Sequence, residues 1–205
     1  MAKRYPPAIG PLAATRDDSA TSFDALAQLI PPGETGALFL DALPAFTAEW
    51  ALVREVPLTQ MVWTTAGELR EDDGIEPLSV ANVDEMLALT ELTQPGPFGR
   101  RTPELGTYLG IRQDGRLTAM AGERLRLPGF TEISAVCTHP EHRGRGFARS
   151  LISSLIRKIA RRGDVPFLHV ATENTRAMQV YTELGFKARK SLTVAVLRRE
   201  GSLGV

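Results

Sequence analysis

Residues 133–155 read ISAVCTHPEHRGRGFARSLISSL, in which an apolar segment, a turn and an amphipathic segment follow one another. The apolar segment is short and rich in β-forming residues, which predicts a buried strand that ends before Pro140. Apolar residues then recur at helical spacing from Phe147 to Ala160, and Gly163 follows as a stop signal. This pattern predicts a strand that passes through a glycine-rich turn into a helix.

The predicted turn is suited to binding phosphate. The first N–H groups of a helix have no partner within the helix, and the helix dipole is positive there, so an anion binds well. Gly144 and Gly146 keep side chains away from such an anion. If the glycines are considered by themselves, a plain strand–turn–helix remains the alternative interpretation.

Two nucleotide-binding motifs do not fit this turn. A Rossmann fingerprint needs a third glycine after Gly146, and a Walker A loop ends in Gly-Lys-Ser/Thr; both features are missing. Residues 143–148, RGRGFA, instead match in full the pattern Arg/Gln-x-x-Gly-x-Gly/Ala. This pattern is the coenzyme A pyrophosphate loop of the GNAT acetyltransferase superfamily. Residues 138–142, THPEH, also resemble that family's valine-x-proline-glutamate lead-in, with Thr138 in place of valine.

A second segment carries the same resemblance. Residues 167–186 read FLHVATENTRAMQVYTELGF, and they resemble the closing motif of the GNAT family. In that motif an asparagine opens a helix, a tyrosine follows seven residues later, and Leu-Gly-Phe ends it. Asn174, Tyr181 and residues 184–186 stand in these places. The resemblance covers residues 75 to about 199.

The resemblance implies an α/β fold with a central mixed β-sheet, helices on both faces, and coenzyme A between two splayed strands. The acetyltransferase domain would comprise residues 75–205. Residues 1–74 carry no motif and are expected to form a small N-terminal α/β extension that shapes the acceptor side. A decayed half-copy of the fold is one hypothesis for this extension. The hydrophilic stretch 66–74, AGELREDDG, is interpreted as the boundary.

Hydrophobic periodicity predicts further elements. They are a helix at 22–30, strands at 36–40, 50–56, 58–64 and 75–80, a helix from Val83 to Leu92, and a last strand at 192–197. Pro57 is expected to separate two of these strands, because proline cannot donate to a ladder. Gln113, Asp114 and Gly115 between apolar segments predict a β-hairpin.

Composition excludes several classes of protein. Lysine and arginine number 24, as do aspartate and glutamate, so net charge does not favour a nucleic acid or a membrane as partner. The start of the chain lacks the apolar core of a signal peptide, and no segment is apolar enough for a membrane span. A single cysteine excludes a disulfide framework and fits the cytoplasm. Monomer and homodimer both remain open.

The function implied by the resemblance is N-acetylation of a primary amine by direct attack on acetyl-CoA. The acceptor is a small molecule or a peptide. Such a reaction needs a base for the ammonium proton, N–H groups for the developing oxyanion, and an acid for the departing thiol. Tyr181 stands where family members place the acid; alternatively, it only packs the helix. The coenzyme A contacts implied by the resemblance are Val136, Cys137, Thr138, Arg143, Gly144, Arg145, Gly146, Phe147, Ala148, Arg149, Asn174, Ala177 and Tyr181.

Two residues compete for the role of base. His169 lies five residues before Asn174, where members that acetylate protein amino termini place a glutamate, and histidine titrates near neutral pH. Glu132 lies where histone-acetylating members carry their glutamate base. The alternatives are a core histidine and a solvated strand end. We rank His169 ahead of Glu132.

Other reactive side chains are interpreted as structural. Cys137 on a buried strand is expected to be an apolar filler rather than a nucleophile. His139, Glu141 and His142 flank a proline turn without a second ligand pair, so we expect no metal. Two further hypotheses for the whole chain are a non-catalytic acyl-CoA-binding or sensor module, and a nucleotide binder that would prefer ATP or NAD.

Overall fold

The computed structural model describes residues 1–64, 69 and 74–201. The strands are β1 (Ala2–Arg4), β2 (Ala13–Thr15), β3 (Thr35–Leu40), β4 (Trp50–Trp63), β5 (Ile75–Leu78), β6 (Tyr108–Gln113), β7 (Arg116–Leu127), β8 (Phe130–Thr138), β9 (Val165–Ala171) and β10 (Phe186–Arg199). The helices are α1 (Ala20–Ala27), α2 (Val83–Thr93), α3 (Phe147–Arg161) and α4 (Thr175–Glu183). Short 3-10 turns occupy Val80–Asn82, Thr102–Leu105 and Pro140–His142.

Eight of the described strands form one mixed sheet in the order β3-β10-β4-β9-β8-β7-β6-β5. Neighbouring strands are antiparallel except for β8 and β9, which are parallel. The parallel pair is connected through α3, as a parallel connection requires a crossover. Strands β1 and β2 form a separate two-stranded sheet.

Helices cover both faces of the large sheet, as the sequence predicts. The side chains of Leu151, Leu155 and Ile159 on α3 are fully buried and pack with Leu109 of β6. On the opposite face of the sheet, α2 packs with Tyr108, the residue that precedes Leu109 in β6. Successive side chains of a strand point to opposite faces, so β6 contributes to both cores. The predicted central mixed sheet with helices on both faces is therefore confirmed.

The N-terminal residues belong to the same sheet as the predicted acetyltransferase domain. Strand β4 lies between β9 and β10, and β3 pairs with the other side of β10. Helix α1 packs on β3 and β10 through Phe23 and Leu26. Of the predicted boundary 66–74, the structure describes only residues 69 and 74. That prediction thus lies almost wholly outside the described residues, and the half-copy remains a hypothesis.

The predicted break at Pro57 is wrong, because β4 is one continuous strand. The Pro57 carbonyl accepts a hydrogen bond of 3.0 Å from the Thr172 N–H, just beyond the end of β9. The N and the C=O of one strand residue point to the same side. The missing donor of Pro57 therefore faces the side where β9 ends, and no bond to β10 is lost. The hairpin predicted at 113–115 is confirmed by the pairing of β6 with β7.

Candidate active site

A cleft opens where β8 and β9 separate. The two strands pair only at their beginnings, from Phe130 with Val165 to Glu132 with Phe167. Beyond that point β8 continues along β7, and β9 continues along β4. The cleft therefore opens toward the carboxyl ends of two parallel strands, which is where α/β sheets commonly bind ligands.

A bulge in β8 directs backbone groups into this cleft. Ala135 has φ 52°, and the β7–β8 register shifts around it. The His139 N–H donates to the Thr118 carbonyl of β7 at 2.7 Å. Bonded and non-bonded positions alternate along an antiparallel pair, so the backbone groups of Thr138 and Val136 face away from β7 and toward the cleft. The sequence gives no sign of this bulge, since alanine rarely has positive φ.

The turn after β8 has the geometry that the phosphate prediction requires. Gly144 and Gly146 have φ of 81° and 85°, a region that favours glycine. A Cβ atom on Gly144 would meet no atom within 4 Å, so the loop borders open space. The Ser150 N–H donates to the Gly146 carbonyl, which leaves the N–H groups at 147–149 without acceptors in the helix. With exposed Arg143 and Arg145 beside them, these groups fit a pyrophosphate.

Helix α4 begins beside the end of β9. The Asn174 side chain caps it by accepting a hydrogen bond of 3.1 Å from the Ala177 N–H. Tyr181 lies two turns further along and packs against Phe186, with 6.1 Å between the ring centroids. Burial raises the pKa of Tyr181 to about 12. The phenol is therefore protonated at neutral pH, as an acid must be.

The structure brings the two rival bases into contact. His169 Nδ1 lies 2.7 Å from Glu132 Oε1, and the Glu132 side chain is 0% exposed. Arg124 of β7 donates two hydrogen bonds to the Glu132 carboxylate, at 2.8 and 2.6 Å. Glu132 is therefore a buried ion-pair partner, and the alternative of a solvated strand end is wrong.

The hydrogen-bond network sets the protonation of this pair. Arg189 donates to Gln60 Oε1 at 2.6 Å, so the amide nitrogen of Gln60 faces His169 Nε2, 3.1 Å away. Neutral His169 then carries its proton on Nδ1 and donates it to Glu132. Burial alone would raise the pKa of Glu132, but the charge and hydrogen bonds of Arg124, with a further bond from His169, lower it to about 2. Glu132 thus stays ionised, and His169 Nε2 is the position that can accept a proton.

The N-terminal part of the chain reaches this network. Phe39 of β3 stacks on His169 with 4.6 Å between ring centroids, and the Arg124 guanidinium lies 5.7 Å from the Phe39 ring centre. Phe39, Arg124 and Gln60 were not predicted as site residues. No local pattern indicates them, because they come from three strands that only the folded sheet brings together.

The remaining candidates take structural positions. Burial raises the pKa of Cys137 to about 11, against the opposing hydrogen bonds of Thr93 and Met120, so the thiol is a poor nucleophile. The ligand atoms of His139, Glu141 and His142 lie within 4.8 Å of one another at the rim of the cleft. His139 already accepts a hydrogen bond from the Glu141 N–H. The absence of a metal stays a prediction.

Comparisons with known proteins agree with this geometry. Residues 108–194 match the model of the FR47-like protein family. A solved structure of a GNAT-family protein from Novosphingobium aromaticivorans is 39% identical and superposes with a TM-score of 0.90. The alignment covers 98% of this chain and 89% of that one. The chain belongs to the GNAT acetyltransferase superfamily.

Two further relatives of this GNAT protein are named N-acetyltransferases. N-alpha-acetyltransferase RimI of Mycobacterium tuberculosis is 37% identical over 83 residues, which are 39% of this chain and 51% of that protein. The match thus spans about half the length of this curated relative. The ribosomal-protein-S18-alanine N-acetyltransferase of Escherichia coli has a TM-score of 0.51 at 18% identity, covering 63% of this chain and 95% of that one. At that identity the likeness concerns the fold alone.

The family predicted from the two motifs is confirmed, and this GNAT protein is an acetyltransferase. Its described helices are all too short or too polar to cross a membrane. The individual site residues named from the motifs remain predictions, which the geometry around the cleft makes specific enough to test.

Proposed function

We propose that this protein transfers the acetyl group of acetyl-CoA to a primary amine by direct attack in the cleft between β8 and β9. The observation that carries the proposal is the separation of these strands beside two helix N-termini, at Phe147 and Thr175. The three chemical requirements of the reaction then have candidates around one opening.

The first candidate group binds the co-substrate. The N–H groups from Gly144 to Arg149 would hold the pyrophosphate, with Arg143 and Arg145 supplying positive charge. Arg149 also pairs with Glu183 of α4, which ties the two helices together beside the opening. Asn174 and Ala177 would line the other side. Acetyl-CoA supplies the activated acetyl group as a thioester.

The second group acts on the thioester. The backbone N–H groups of Val136 and Thr138 would stabilise negative charge developing on the carbonyl oxygen, since the Ala135 bulge holds them toward the cleft. Tyr181 would donate its phenolic proton to the departing sulfur. Burial raises its pKa, so the phenol is protonated at neutral pH but is a weaker acid than an exposed tyrosine, and it would donate only as charge builds on the thiolate.

The third group is the base. We assign the proton transfer to His169, with Glu132 as its positioning partner rather than its rival. Glu132 would orient the ring and stabilise the imidazolium once Nε2 accepts a proton. Gln60 binds Nε2 in the free protein, so the acceptor or an intervening water must displace that amide.

The acceptor is a small-molecule or peptide amine. The activity of the RimI relative, an N-alpha-acetyltransferase, supports an amine rather than a hydroxyl acceptor. The single cysteine is free and buried, which is compatible with a reducing cytoplasm.

A thiol-release assay tests the proposal. Purified protein is given acetyl-CoA and a panel of amines, amino acids and short peptides, and free thiol and acetylated product are quantified together. Equal amounts of both with at least one amine would support acetyl transfer. Tight acetyl-CoA binding without turnover of any amine would instead indicate a sensor module, and a preference for ATP or NAD would indicate a nucleotide binder.

A further inference from the structure

Tyr108 carries a buried hydroxyl without a partner. Its side chain is 2% exposed. In the described ranges, the buried side-chain nitrogen or oxygen atoms without a hydrogen-bond partner are Tyr108 Oη, Arg4 Nε, Trp50 Nε1 and His142 Nδ1. An unsatisfied buried hydroxyl is destabilising, so native proteins usually keep one only where it has a use. Of these four atoms, Tyr108 Oη belongs to a ring that packs between α2 and the strands β7 and β8.

The ring of Tyr108 crosses β7 toward β8. Gly122 of β7 pairs with Tyr108 on one side and with Ser134 of β8 on the other. A Cβ atom on Gly122 would lie 2.3 Å from the Tyr108 ring and 2.5 Å from its Cζ. The glycine therefore lets the phenol lie over β7, so that its hydroxyl end is directed to β8. Ser134 comes two residues after Glu132, the last residue at which β8 pairs with β9.

The surroundings fix the ring and keep its hydroxyl neutral. Phe98 packs edge-on against the ring at 5.8 Å, and α2 covers it. Burial raises the pKa of Tyr108; the charge of Arg124 opposes this rise, whereas Glu132, Glu123 and Cys137 add to it. A hydroxyl of this kind can donate to a carbonyl or accept from an N–H or O–H, without attracting either sign of charge strongly.

We propose that the Tyr108 hydroxyl hydrogen-bonds the acceptor during acetyl transfer, and that it selects acceptors with an uncharged polar group, such as an amide or hydroxyl, beside the amine. The inference rests on the proposed function, because it needs an acceptor on the α2 face of the cleft. Its structural support is independent: an orphaned hydroxyl, a glycine that admits the ring, and a location beside the point where β8 and β9 separate.

The test compares Tyr108→Phe with Thr90→Val. Tyr108→Phe removes one oxygen and keeps the packed ring. Thr90 is also a buried hydroxyl on the α2 side, but it donates to the Leu87 carbonyl at 2.9 Å. We measure kcat/KM for a reactive amine with a neighbouring amide and for a simple alkylamine, together with acetyl-CoA affinity and the urea midpoint.

Tyr108→Phe should lower kcat/KM for the amide-bearing amine by about 3- to 10-fold, mainly through KM, as loss of one neutral hydrogen bond predicts. The kcat/KM for the alkylamine and the affinity for acetyl-CoA should be unaffected. The urea midpoint should be unaffected or raised. Thr90→Val should lower the midpoint and spare kcat/KM. Equal kinetics of wild type and Tyr108→Phe, or a lower midpoint, would overturn the proposal and indicate an internal water instead. If the wild type turns over no amine at all, the proposed function itself fails.

Discussion

Replacing Arg124 by methionine should destabilise the protein more than any surface substitution. The Arg124 side chain is 11% exposed and Glu132 is fully buried, and two short hydrogen bonds join them. Arg124→Met keeps most of the aliphatic stem but leaves the Glu132 carboxylate with His169 as its remaining bonded side chain. A buried charge that loses its partner is expected to lower the free energy of unfolding by about 3–5 kcal/mol.

The pH dependence of this loss distinguishes a buried charge from simple loss of packing. In the wild type, Arg124 outweighs the effect of burial on the pKa of Glu132. Without Arg124, burial would raise that pKa. The variant can then relieve the strain by protonating Glu132, so its deficit relative to wild type should shrink as the pH falls from 7 toward 4.5. A packing defect alone would be nearly independent of pH in this range.

Urea unfolding followed by tryptophan fluorescence measures the effect. The control is Arg101→Met, which breaks an exposed ion pair with Glu104 at 2.7 Å and should leave the urea midpoint nearly unchanged. The double variant Arg124→Met with Glu132→Gln should be more stable than Arg124→Met alone, since it removes the uncompensated charge. Two results would contradict a buried ion pair between Arg124 and Glu132. In the first, Arg124→Met lowers the free energy of unfolding no more than Arg101→Met does. In the second, the loss in the double variant equals the sum of the losses in the two single variants.

Three further predictions concern the same cleft. Tyr181→Phe should lower kcat by about 10²-fold with acetyl-CoA affinity unchanged, because the acid acts mainly as charge builds on sulfur; wild-type kcat would reduce Tyr181 to a packing residue. His169→Ala should lower the rate at neutral pH and abolish the acid-side limb of the pH–rate profile, and an unaltered profile would exclude His169 as the base. Burial alone would raise the pKa of Glu132 and Glu123, but their arginine partners lower the pKa of both, that of Glu132 to about 2. Their stabilisation is therefore complete above pH 4.5 and is lost as the pH falls through these lowered pKa values. Urea unfolding between pH 7 and 3 measures this loss, which should be smaller in Glu123→Gln than in wild type.

The parts of the fold that sequence reasoning predicted depend on short-range rules. The strand, glycine turn and helix around Gly146 follow from periodicity and helix-terminus chemistry, and α3 begins at Phe147 as expected. The cap of α4 by Asn174 is equally local. A break at Pro57 was expected because proline cannot donate to a ladder. The prediction failed because the missing N–H points to the side where β9 ends, and β9 is more than a hundred residues away in the sequence.

The site was predicted less completely because its contacts are long-range. Glu132 and His169 were both identified, but as rivals, since the hydrogen bond between them depends on the alignment of β8 with β9. Phe39 joins them only through the order of strands in the sheet. One signal was available: Gly122 in the middle of a strand is typical of a close approach by another group, and here that group is Tyr108.

Substitutions at Ala148 test whether acetyl transfer takes place with coenzyme A bound at the turn after β8. Ala148 lies in the first turn of α3, where aspartate suits the helix dipole but repels phosphate. The control is Ala148→Asn, because asparagine has nearly the same shape as aspartate but no charge. With acetyl-CoA and an accepted amine, the wild type and Ala148→Asn should each form one free thiol for every acetylated amine. Ala148→Asp should need an acetyl-CoA concentration at least about tenfold higher to reach the same rate. Acetylation by Ala148→Asp at wild-type acetyl-CoA concentrations would show that the pyrophosphate does not bind at this turn, and absence of product with the wild type would contradict acetyl transfer altogether.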